Sequence, residues 1–152
     1  MKRSAVLILV LAASLSACSP KAPAGVDTAV LDDAIATTIG DPTTCVLVVK
    51  KGSGEVVYRY GRQVTCATDI PSCSGGATTT VDDLAKEAAA GQTRTVSCPS
   101  AAGGVGIAIG PVPQTKPQMG ELVYAAAMNS QHVLPGMEIA HRLEGDFAKA
   151  GF

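Results

Sequence analysis

The chain has 152 residues, a formal net charge of −1 and 16% charged residues, a length that fits one domain. Its twelve Lys and Arg are scattered rather than run together, which excludes the electrostatic footprint of a nucleic-acid binder or of a polybasic segment on anionic lipid. Trp is absent and only three Tyr and two Phe occur, so a stacking site for sugars or bases is excluded and the core is left to Val, Leu, Ile and Ala.

Residues 1–17 read as an export signal. Lys2 and Arg3 form a basic n-region and Ala5 to Ala13 a short apolar h-region, below the ~20 residues a membrane-spanning helix needs. Leu15-Ser16-Ala17-Cys18 closes the run. This order resembles the lipobox of bacterial lipoproteins; the competing reading is an ordinary secretory peptide cut near Ala17. The resemblance implies cleavage before Cys18, acylation of Cys18 (palmitate or a similar chain) and a lipid-anchored, periplasm-facing location in the cell envelope. Ser19 at the next position implies the outer rather than the inner membrane. Several acyl chains, at about 0.8 kcal/mol per buried CH2, give a lasting anchor. Cleavage leaves 135 residues and removes two positive charges. Residues 18–25, rich in Pro and Ala, read as a lipidated tether, and residues 26–152 as a single domain.

Val26, Val30, Leu31, Ala34, Ile35 and Ile39 recur at helical spacing, with Asp27 as N-cap, Gly40 as stop and Pro42 beyond. Cys45 to Val49 and Glu55 to Tyr60 read as a hairpin, with Gly52-Ser53 as a two-residue turn and Val56, Tyr58 and Tyr60 on one face. Gly61 to Thr79 has no usable period and reads as a long loop. Thr80 with Asp83 resembles a capping box opening a helix that runs to Ala90 and stops at Gly91. Thr93 to Cys98, Val105 to Ile109 and Leu122 to Met128 read as strands. Pro135 then opens a helix with Met137, Ala140, Leu143, Phe147 and Ala150 inward and Glu138, Arg142, Asp146 and Lys149 outward. The order α-β-β-α-β-β-β-α lacks β-α-β alternation. It predicts an α+β fold: an antiparallel sheet of about five strands with helices on at least one face.

Four cysteines follow Cys18: Cys45, Cys66, Cys73 and Cys98. An even number in an oxidising compartment reads as two disulfides. No C-x-x-C pair and no nearby histidine suggests a metal site instead. In the two-residue-turn register Cys45 lies opposite Tyr60, so Cys66 is only six residues past the cross-strand partner of Cys45. That favours Cys45–Cys66 with Cys73–Cys98; Cys66–Cys73 with Cys45–Cys98 is the alternative.

No catalytic constellation emerges. Gly104, Gly106 and Gly110 lack phosphate-loop spacing and lie within a predicted strand, which favours close packing or a bulge over an anion cradle. His132 and His141 fall on different elements and read as surface or cap residues. Asp32-Asp33 and Asp82-Asp83, near helix N-termini, read as solvated faces rather than an acid–base dyad. No cofactor or metal is implied.

Thr44 to Tyr60, reading T-T-C-V-L-V-V-K-K-G-S-G-E-V-V-Y-R-Y, resembles the first hairpin of serine β-lactamases and penicillin-binding transpeptidases, class D above all. Val105 to Gly110, Leu122 to Asn129 and the helix ending Ala150-Gly151-Phe152 are similar to that family's last two strands and final helix. The family's chemistry needs a lysine one turn after the nucleophilic serine. Ser72 and Ser74 are instead followed three positions on by Gly75 and Ala77, and Thr95-Val96-Ser97-Cys98 stands where K-T-G is expected. No catalytic residue is carried over. Three functions remain: a non-catalytic envelope lipoprotein with a structural or protein-binding domain, a degenerate hydrolase or peptidoglycan-fragment binder of the penicillin-recognising fold, and a small-ligand sensor module.

Overall fold

The computed structural model describes residues 20–152, so the lipobox, Cys18 and Ser19 lie outside the described residues. Seven strands and four α-helices follow in chain order. They are α1 (Thr28–Thr38), β1 (Cys45–Lys50), β2 (Val56–Tyr60), α2 (Gln63–Cys66), β3 (Ile70–Pro71), β4 (Thr78–Thr79), α3 (Val81–Ala89), β5 (Arg94–Ser100), β6 (Gly103–Pro111), β7 (Leu122–Ser130) and α4 (Gly136–Ala150), with a 3-10 turn at Pro117–Met119. The fold is α+β. Its five-stranded sheet runs β2-β1-β7-β6-β5, and every neighbouring pair is antiparallel.

Helices cover both faces, because the central strands are apolar on both sides. Val46 and Val48 of β1 and Leu122, Tyr124, Ala126 and Met128 of β7 face Leu31, Ile35 and Ile39 of α1 and Ile139, Leu143 and Phe147 of α4. The intervening residues, Leu47 and Val49 of β1 and Val123, Ala125 and Ala127 of β7, face Val81, Leu84 and Ala88 of α3. The period-2 pleat thus sorts one strand into two cores. Small residues let the layers close. A Cβ on Gly106 would lie 2.1 Å from the Leu134 carbonyl oxygen, so this position serves close packing.

Two N-caps follow the sequence, while Pro135, predicted to open the last helix, stands one residue before it as the N-cap of α4. Asp27 accepts the backbone N–H groups of Ala29 and Val30, and Thr80 accepts that of Asp83. The last helix departs from its predicted face. Met137 is 74% exposed while Ile139 is fully buried, so the inward stripe is Ile139, Leu143, Asp146, Phe147 and Ala150. Asp146, read as outward, is wholly buried, because Thr38 at the end of α1 donates its hydroxyl to it and Lys149 reaches it from solvent.

The hairpin is tied by a longer loop than a two-residue turn. Lys50 and Glu55 close it, with the Lys50 N–H donating to the Glu55 carbonyl at 2.9 Å. Val49 opposes Val56 as predicted, but a bulge then shifts the register by one residue, so that Tyr60 lies opposite Val46 and not Cys45. The extra residue at the bulge also turns Val57, together with Tyr58, into the α1/α4 core.

The segment 18–25 is not free along its described part. Lys21 to Ala24 line a groove with Lys50, Glu55, Gln118 and Met119. Lys116 Nζ donates to the carbonyls of both Gly25 and Gly151, and the Asp27 N–H donates to the Ala150 carbonyl at 2.9 Å. N-terminal segment and C-terminus thus meet at one end of the sheet, the end that carries the β1–β2 loop. We call this the proximal pole; the starts of β1 and β6 and the ends of β5 and β7 form the distal pole.

Candidate functional site

Gly61 begins the distal pole. Its backbone is left-handed, with φ 90°, and a Cβ there would approach the Thr44 carbonyl oxygen to 2.5 Å, so only glycine lets the chain fold back over the start of β1. One turn of helix, α2, then brings Cys66 to Cys45, with their Cα atoms 5.3 Å apart in a disulfide. A second bridge joins Cys73 to Cys98, Cα atoms 5.6 Å apart, and ties the same segment to β5. This is the pairing favoured by the hairpin argument, although the bulge moves the cross-strand partner of Cys45 by one residue.

Between the bridges, β3 and β4 pair in a small ribbon, and the Ser72 N–H donates to the Ala77 carbonyl at 2.9 Å. The segment 61–79, predicted as a long loop, therefore carries one helical turn and two short strands. Its lack of apolar period hid them, because bridges and sheet edges rather than a buried stripe hold them in place.

Arg62, Val64, Thr65, Thr68 and Ile70 of this segment, with Pro42, Thr43 and Asn129 from the sheet's distal end, line an open cleft of about 230 Å³. Pro42, Val64 and Ile70 give it an apolar lining, and Val64 is 62% exposed. Its polar groups differ in what they have left to offer, since the Thr68 hydroxyl already donates to the Val64 carbonyl at 2.7 Å. The Asn129 side-chain oxygen accepts from Ser100 Oγ at 2.8 Å, which leaves the amide nitrogen available. The Thr43 hydroxyl donates to Asp41 at 2.6 Å and accepts the Asn129 N–H, so it fixes the rim rather than facing a ligand. Burial raises the Asp41 carboxyl, but the hydroxyl and N–H of Thr43 outweigh it and hold Asp41 below the ordinary carboxylate range. Arg62 makes no ion pair among the described residues.

The other candidates stay apart. His132 is exposed in the loop after β7 and His141 is exposed on α4, and neither meets a hydroxyl or thiol in a hydrogen bond among the described residues. Ser72 is buried, its hydroxyl accepts from the Ser74 N–H, and among the described residues no lysine is hydrogen-bonded to either serine. Asp82 and Asp83 flank the α3 N-terminus, where Lys86 and Thr80 hold the exposed Asp83 carboxyl below its usual range. Asp32 is exposed as predicted, yet it accepts the Tyr58 hydroxyl at 2.6 Å and so ties α1 to β2. Gly104 meets Val133 where its Cβ would be, so this glycine serves close packing as Gly106 does. Among the described residues no group of three or more His, Cys, Asp or Glu is placed to hold a metal, and no helix is long and apolar enough to cross a membrane. Comparison with protein-family models, curated proteins and solved structures found no match.

Proposed function

We propose that the chain is an envelope lipoprotein, acylated on Cys18 and facing the periplasm from the outer membrane, whose disulfide-stapled α+β domain has a binding or structural role without catalysis. One observation carries this reading. The two bridges use Cys45, Cys66, Cys73 and Cys98, so none of the other four cysteines is left to pair with Cys18. An oxidising compartment suits the bridges, and a lone cysteine directly after Leu-Ser-Ala suits acylation. The docked proximal segment supports the same reading. Pro20 is two residues from Cys18, and at about 3.6 Å per residue the anchor holds the proximal pole within about 10 Å of the headgroups. The distal pole then points toward possible partners, an envelope protein or peptidoglycan.

Metabolic labelling with an alkyne fatty acid tests the anchor. Wild type should be labelled, and Cys18→Ala should be unlabelled and accumulate as precursor or soluble protein. Equal labelling of both rules the anchor out.

A degenerate member of the penicillin-recognising fold is the second reading. It is favoured by the sheet order, in which the β1–β2 hairpin forms one edge, β7 returns beside β1, and α1 and α4 share one face. With no lysine placed to activate Ser72 or Ser74, incubation with a fluorescent penicillin should give no covalent adduct. An adduct lost in Ser72→Ala or Ser74→Ala would move the assignment to that family's chemistry.

A further inference from the structure

We propose that the distal cleft binds a small organic carboxylate, of the kind a short peptide presents at its C-terminus, with Arg62 as its anion contact. This deepens the binding role proposed above and rests on it. Arg62 is the one charged side chain lining the cleft, and a guanidinium offers a planar fork that matches the two oxygens of a carboxylate. The Thr65 hydroxyl makes no hydrogen bond among the described residues, and the Asn129 amide nitrogen is the free end of a side chain whose oxygen is already held by Ser100. Arg62, the Thr65 hydroxyl and the Asn129 amide offer donors in one concavity that no acidic side chain lines among the described residues, and the charge of Arg62 favours an anion there. Pro42, Val64 and Ile70 beside them select one with an apolar body. A phosphate monoester, with about two charges, would ask for more cations than the single arginine lining the cleft.

The site is pre-formed. Cys45–Cys66 fixes the residue after Thr65, Cys73–Cys98 fixes the far end of the same segment, and Thr43 fixes Asn129 through the Asn129 N–H. Little ordering is left to oppose binding. A volume of about 230 Å³ suits one or two small residues.

The test uses the full chain in detergent, titrated with N-acetyl-L-alanyl-L-valine, its C-terminal amide and inorganic phosphate, and read by calorimetry and by amide NMR of Thr43, Thr65 and Asn129. The free acid should shift those three resonances saturably. The amide and phosphate should bind at least about tenfold more weakly, the range expected for losing a charge-assisted hydrogen bond. Arg62→Ala should weaken the acid by a similar factor at unchanged melting temperature, and Arg62→Lys should restore part of the loss. Equal binding of acid and amide, wild-type affinity in Arg62→Ala, or no saturable shift at the highest soluble concentration overturns the assignment. Cys18→Ala separates the two proposals. Unlipidated protein that still binds the acid keeps the cleft whatever the labelling shows, and lipidated protein that does not bind removes the cleft and leaves the anchor standing.

Discussion

Tyr58 shows how one side chain sets the pH response of this fold. It is 4% exposed, and its hydroxyl donates to Asp32. Burial first, and then the hydrogen bond and charge of Asp32, push the phenol far above its ordinary 10.0. Tyr124, buried and near Glu144, is pushed up to about 12. A phenol with a raised folded-state pKa contributes stability that is whole below about pH 10 and is lost as pH climbs past it. Urea melts should therefore hold a constant midpoint up to about pH 10 and fall between about pH 10 and 12. Tyr58→Phe should cost about 1.5–3 kcal/mol at neutral pH, the range for a hydrogen bond to a charged group, and should flatten the alkaline fall. An equally steep fall in the variant would show that the coupling lies elsewhere. The acid limb has the opposite sign, since Asp41 and Asp83 lie below their ordinary 3.8 and contribute stability that disappears as pH drops through their folded values. The burial of Asp146 could not be read from its own residue type. It depends on Thr38 arriving from α1, and nothing in the local pattern of α4, where Lys149 lies three residues on, encodes that meeting.

At the scale of elements, periodic segments were legible and stapled ones were not. The capped helices announce themselves through the period of their buried faces, and Val46 to Val49 and Leu122 to Met128 as continuous apolar runs buried on both sides. The bulge at Val57 leaves none, since an extra residue in a strand needs no special side chain. The segment 61–79 buries few apolar groups and depends on its bridges, which enclose sequence separations of 21 and 25 residues. Each bridge should contribute about 2–4 kcal/mol by restricting the unfolded chain. Cys45→Ser with Cys66→Ser, and Cys73→Ser with Cys98→Ser, should lower the urea midpoint accordingly. Opening Cys73–Cys98 should also free Cys73 from its left-handed backbone, with φ 62°. Non-reducing peptide mapping checks the pairing directly: a fragment joining Cys66 to Cys73 would refute it.

Across the whole molecule, the segment before α1 and the C-terminus are clasped at the proximal pole by Lys116, which donates to Gly25 at 3.2 Å and Gly151 at 2.8 Å. Lys116→Ala should release residues 20–25 and make them cleavable by limited proteolysis at about 1–2 kcal/mol of lost stability; unchanged protection would place the restraint in the α1 start alone. The sequence by itself determined the fold class, the central strands, the helix caps and the even set of cysteines downstream of Cys18, because each follows from local period, capping chemistry or a count. It also left the direction of the helices open: α1 and α4 share one face while α3 takes the other, a choice made by strands apolar on both sides. Only the tertiary structure decided the hairpin register, the buried Asp146, the docking of residues 21–24 and the distal cleft. Each of these joins residues distant in sequence, and such a meeting is fixed by packing and covalent closure rather than by any pattern along the chain.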